Sequence, residues 1–166
     1  STDCYKQYDI AYEQSSGHVL IAYTIEGSAG VGWAKNEAEP KTSAGWSDTD
    51  QEAGMLDNAD FLDLGAEPGT DYIAMAYMDD IAGDMQVAIW SGSAWTAKND
   101  NIDTSTVTVA DSEPIGCGWA GTGTNRRAVI VYNNASATTL SYFTWKKDTA
   151  SWEQLDNAPA TYSPPF

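Results

Sequence analysis

Val19-Leu20-Ile21-Ala22-Tyr23, Tyr72-Ile73-Ala74-Met75-Ala76-Tyr77 and Ala128-Val129-Ile130-Val131-Tyr132 are three apolar runs, each ending in tyrosine. The closing tyrosines, Tyr23, Tyr77 and Tyr132, recur at an almost constant interval. Behind each run comes a polar turn, a strand carrying a tryptophan (Trp33, Trp90, Trp145), another turn and a second tryptophan (Trp46, Trp95, Trp152). Self-similarity at a fixed period of this size means one supersecondary unit used repeatedly. The chain therefore reads as one all-β domain over residues 1–166, built of three repeats at about 5–50, 58–100 and 112–157.

Four strands are predicted in each repeat. They are Tyr8–Glu13, Val19–Thr24, Gly30–Ala34 and Gly45–Asp48 in the first, and Phe61–Ala66, Asp71–Met78, Asp84–Ser91 and Ser93–Ala97 in the second. The third has Ile115–Ala120, Arg126–Asn133, Thr139–Lys146 and Ser151–Leu155. Breaks fall at Gly, Asn, Asp and Ser, as turns require. Gln51–Asp60 is the one arguable helix, and Gly54, Asn58 and Asp60 make it a poor one. The second strand of each repeat is apolar on both faces, so it belongs between layers. Ile21, Ala76 and Ile130 then sit where an aspartate would be a buried, unpaired charge.

Four-stranded antiparallel units with this burial gradient have the form of β-propeller blades. The repeat resembles the blades of secreted sialidase-like and lectin-like propellers, although their Ser-x-Asp-x-Gly-x-Thr-Trp turn is not reproduced. Ser91-Gly92-Ser93-Ala94-Trp95 shares with it a turn and a tryptophan. The resemblance implies a secreted or cell-surface module. Closed propellers use about 4–8 blades, so three units imply a homo-oligomer or a larger parent chain. Two copies would give a six-unit ring with C2 symmetry, whereas a head-to-tail contact that fails to close gives a filament. A β-sandwich or an irregular barrel of about twelve strands is the alternative architecture.

Composition narrows the function classes. Twenty-four acidic residues against eight basic give a net charge of −16, which repels phosphate backbones and anionic lipid surfaces. Nucleic acid is therefore not an expected partner, and membrane insertion is not expected because nowhere do eighteen apolar residues run together. The opening Ser1-Thr2-Asp3, without an initiator methionine or signal peptide, reads as a mature product or an excised piece. Cys4 and Cys117 are too far apart for a CxxC site. In an oxidising compartment they would close one long loop worth about 3–5 kcal/mol, and otherwise they are buried thiols.

Candidate chemistry is sparse. Asp79, Asp80 and Asp84 flank a glycine turn and offer oxygen ligands for Ca2+, although Asp and Gly also form ordinary turns. His18 is the sole histidine and reads as a solvent-facing turn residue. Arg126 and Arg127, the only arginines, point to opposite faces of a strand, which argues against a complete sialidase site. No nucleophile elbow or phosphate loop is present. Trp46, Trp95 and Trp152 occupy equivalent places in the last strand, where flat rings stack on sugars, or else pack between blades. Asn134-Ala135-Ser136 is a glycosylation triplet. The expectation is a non-catalytic extracellular module for adhesion, glycan binding or self-assembly. Its alternatives are a structural subunit of a ring or filament, and a fragment of a glycoside-active propeller enzyme.

Overall fold

The computed structural model describes residues 6–25, 30–38, 45–46, 51–52, 59–79, 84–103, 115–133 and 140–155. It is all-β apart from one short 3-10 turn at Gly123–Asn125. Sheet 1 contains β1 (Tyr8–Tyr12), β2 (Val19–Thr24), β3 (Val31–Asn36) and the two-residue β4 (Gln51–Glu52). Sheet 2 contains β5 (Ala59–Ala66), β6 (Ile73–Asp79), β7 (Met85–Trp90) and β8 (Trp95–Asp103). Sheet 3 contains β9 (Ile115–Ala120), β10 (Arg127–Asn133), β11 (Leu140–Lys146) and β12 (Ser151–Leu155). Within each sheet neighbouring strands are consecutive and antiparallel. Each repeat is thus a meander, and short turns suffice to connect it.

The sheets stack in chain order. One core cluster joins sheet 1 to sheet 2, including Leu20, Ala22 and Val31 against Leu62, Met75 and Trp90. A second joins sheet 2 to sheet 3, including Ala76, Met78 and Val87 against Ile115, Ile130 and Trp145. The first strands lie side by side, and Lys6 bridges Phe61 in parallel, with the Leu62 N–H donating to Lys6 O at 2.9 Å. Sheet 2 is therefore covered on both faces, and every residue of β7 is buried.

That arrangement corrects the expectation for the second strands. Two-sided burial holds for Ile73 through Met78 of β6, whereas β10 alternates, with Ala128, Ile130 and Tyr132 buried but Val131 exposed. Ile21 likewise is only half-buried, because it lies on the face of sheet 1 that no other described sheet covers. Apolar side chains on both faces predict two layers above and below, but the end sheets have only one neighbour.

Two further readings change. The described fourth strand of sheet 1 is at Gln51–Glu52, and Trp46 forms an isolated bridge to Asn36, while positions 47 and 48 of the expected strand lie outside the described residues. Trp33 is not the counterpart of Trp90 and Trp145. Counting from Tyr23↔Gly32, Tyr77↔Gln86 and Tyr132↔Ser141, Asn36 occupies their position. Trp33 sits three residues earlier, on the opposite face of its strand, and so meets Trp90 across the join at 4.7 Å between ring centroids.

Candidate functional site

Register makes the repeats directly comparable. Tyr23, Tyr77 and Tyr132 pair with Tyr8, Leu62 and Ile115, so Asp9, Asp63 and Gly116 are equivalent. Continuing along the strand, so are Ala11, Gly65 and Gly118, and so are Glu13, Glu67 and Ala120. Alternation along a strand places these three positions on one face, which leads towards the next sheet. The intervening positions form the trailing face: Tyr8, Ile10 and Tyr12; Leu62, Leu64 and Ala66; Ile115, Cys117 and Trp119.

Both joins use the same polar device. The Leu64 N–H donates to Asp9 Oδ2 at 2.8 Å, and the Cys117 N–H donates to Asp63 Oδ2 at 2.6 Å. Lys6 Nζ lies between the two carboxylates, 2.7 Å from Asp63 and 3.4 Å from Asp9. At each of the two joins the leading face thus carries an aspartate that binds a backbone amide of the neighbouring first strand. Such charge-assisted bonds are short and strong.

The glutamates repeat the theme deeper in. Glu13 is buried, and its Oε1 accepts from Trp90 Nε1 across the join at 2.5 Å. Its Oε2 accepts from Ser16 Oγ at 2.7 Å and faces His18 Nδ1 at 3.0 Å and Lys35 Nζ at 3.2 Å. Lys35 also donates to Gly92 O of sheet 2 at 2.8 Å. Glu67, fully buried, accepts from Thr70 Oγ1 at 2.5 Å and Lys147 Nζ at 2.8 Å on Oε2, and from Arg126 Nη1 at 3.1 Å on Oε1. Burial pushes the Glu67 carboxyl upward, but the bonds from Lys147, Thr70 and Arg126 outweigh it and hold the group below the ordinary range. Buried carboxylates are tolerated because donors saturate them.

The turns add further links. Asp71 Oδ1 accepts from the N–H groups of Ser15 and Ser16 at 3.0 and 2.8 Å. Burial opposes ionisation of Asp71, yet these amide bonds keep its carboxyl below the usual range. Between sheets 2 and 3, Trp119 Nε1 donates to Gly65 O at 2.8 Å, and Trp152 Nε1 donates to Ala97 O. Ala97 lies at a bulge in β8 with a positive φ of 48°.

The candidate residues take the following places. Trp46, Trp95 and Trp152 are equivalent in register, since Asn36, Trp90 and Trp145 are their cross-strand partners. Trp95 is only 7% exposed and packs edge-on against Trp90, which leaves no ring face for a sugar. Trp46 and Trp152 are half-buried, and Trp152 is tied to sheet 2. His18 is not a free turn residue but faces buried Glu13. Arg126 and Arg127 reach different carboxylates, Glu67 and Glu153. Among the described residues Cys117 is a free thiol, its Sγ donating to Asp63 O at 3.3 Å. Burial and then the Asp63 charge push that thiol well above its ordinary value. Cys4, Asp80 and Asn134 lie outside the described residues, while Asp79 ends β6 and Asp84 precedes β7. No cluster of three or more His, Cys, Asp or Glu suited to a metal ion occurs among the described residues. No described helix is long and apolar enough to cross a membrane.

The ends of the stack complete the site. On the trailing face of sheet 1, Tyr8, Ile10 and Tyr12 are 70%, 50% and 54% exposed. On the leading face of sheet 3 a groove of about 360 Å³ runs along Gly116–Ala120 beside Val129 and Val131. No protein-family model matches the chain, and no curated protein matches it in sequence.

Proposed function

We propose that this chain is a non-catalytic, β-propeller-like repeat module, secreted or displayed on a cell surface, whose work is assembly. The observation that carries this reading is the exposed apolar row Tyr8, Ile10 and Tyr12. In sheets 2 and 3 the equivalent row is covered by a neighbouring sheet, so sheet 1 presents an interface without its other half. Isolated exposed apolar residues are ordinary, but a contiguous row on a flat sheet face marks an interaction surface.

The polar groups support a structural rather than a catalytic role. Glu13 and Glu67, the fully enclosed carboxylates among the described residues, are held between sheets by cations, hydroxyls and a ring N–H. A general acid or base needs an open path to substrate, which such bonding denies. The test is solution mass by light scattering over a wide concentration range. A concentration-dependent multiple of 17.9 kDa is expected. A single-chain mass at every concentration refutes assembly as the function.

A further inference from the structure

We infer that the leading face of sheet 3 receives the Tyr8, Ile10 and Tyr12 row of a second copy of this chain, in the register used by the two joins within one copy. The inference rests on the assembly reading and adds to it the partner, both surfaces and the alignment between them.

Size is the first argument. In the internal joins the leading rows are Asp9, Ala11, Glu13 and Asp63, Gly65, Glu67, while in sheet 3 the row shrinks to Gly116, Gly118 and Ala120. The trailing rows change the other way, from Leu62, Leu64 and Ala66 to Tyr8, Ile10 and Tyr12. The smallest leading row and the bulky aromatic trailing row are thus the two that no described sheet covers, at opposite ends of the stack. The join between sheets 2 and 3 already pairs glycine with a large ring, because Trp119 reaches over to Gly65. Tyr12 is the counterpart of Trp119 and Gly118 that of Gly65. A Cβ on Gly65 would stand 3.0 Å from Cys117 backbone atoms, whereas Gly116 and Gly118 have open space above them.

Charge is the second argument. Glu67 is tolerated because Arg126 and Lys147 of the next sheet reach it. Counting along the paired strands, Gly17 and Ala38 stand at those two positions in sheet 1, as Asp71 and Gly92 do in sheet 2, where Glu13 is instead paired with Lys35 of its own sheet; sheet 3 has Thr144 in place of Lys35. The trailing face of sheet 1 therefore brings neither of the cations that neutralise Glu67. The leading face of sheet 3 correspondingly carries neither Asp nor Glu at the equivalent positions, since Gly116 and Ala120 replace them. Burying an uncompensated carboxylate would cost far more than such a contact returns. Two copies joined in this way twice, each giving one row and receiving the other, form a six-sheet ring.

The register supplies a direct test. In the join between sheets 2 and 3, a Cβ on Gly65 would lie 3.1 Å from Cys117 Cβ. Ile10 and Gly118 are the equivalent pair, so cysteines there fall within disulfide reach. In a Cys4→Ser, Cys117→Ser background, Ile10→Cys with Gly118→Cys is oxidised mildly and sized by non-reducing gel and mass. The expected product is a covalent two-chain species that neither substitution gives efficiently alone. Gly118→Trp should weaken association at least tenfold by light scattering, with the melting midpoint of the dilute single copy unchanged. A single-chain mass throughout overturns both the inference and the assembly reading. Association without cross-linking, or a disulfide that closes within one chain, overturns the inference alone.

Discussion

Removing the Glu67 carboxylate tests the energetics of the joins most directly. Glu67→Ala takes away the acceptor shared by Arg126, Lys147 and Thr70, on which sheets 2 and 3 meet. Breaking one side of a buried ion pair costs about 3–5 kcal/mol. The Arg126 and Lys147 side chains are 32% and 31% exposed, so they turn to water once the carboxylate is gone. That relief places the loss near the lower end, at about 3 kcal/mol. For a chain of this length each kcal/mol moves the melting midpoint by about 2–4 °C, so a fall of about 6–12 °C is expected. Calorimetry or circular dichroism at pH 7 reads it. The pH dependence has a defined sign. The folded carboxyl is held below its ordinary range, so the unfolded chain takes up the proton first as pH falls. The contribution is complete at neutral pH and declines below about pH 4.5, so wild type and Glu67→Ala converge in acid. Two results would refute this: a loss under about 1 kcal/mol, the size of a surface pair, or a gap between the two proteins that stays constant down to pH 3.

Gly65→Ala and Gly118→Ala make the same change at equivalent positions with different expected outcomes. The first drives a methyl against the Cys117 backbone and should cost about 1–3 kcal/mol. The second meets open space and should stay within about 0.5 kcal/mol in dilute single copies. Urea titration of both variants distinguishes them, and equal losses would disprove the close approach at Gly65. Ala76→Asp places a charge in the core between sheets 2 and 3 and should abolish folding. Ile21→Asp, at a half-buried position of sheet 1, should still fold, as judged by soluble yield and far-UV dichroism.

Much of the architecture is legible in the chain because strands and turns are specified locally. The tyrosine-ended runs locate β2, β6 and β10, and the repeat then supplies three antiparallel sheets. Burial is not a local property, and there the sequence misleads. Nothing in Val19–Thr24 distinguishes an end sheet from a middle one, so its apolar pattern encloses Ile21 where the fold does not. The different place of Trp33 has a visible signal, since the step from Trp33 to Trp90 is longer than those from Trp90 to Trp145 and from Tyr23 to Tyr77. The carboxylates of the joins are hidden among twenty-four acids. Yet Asp9 to Asp63, and likewise Glu13 to Glu67, repeat the step from Tyr23 to Tyr77 without deviation. Matching polar residues to the period of the apolar ones is the signal that finds them.

The polar device also fixes the order in which the sheets follow one another. Each sheet that carries the aspartate and glutamate specifies a successor, because an enclosed carboxylate is stable only when donors saturate it, and the following sheet supplies some of them. Asp9 and Glu13 require a second sheet, and Asp63 and Glu67 require a third. At Gly116 and Ala120 that instruction stops. Sheet 3 withholds both side chains, so whatever lies against its leading face is selected by shape rather than by buried charge.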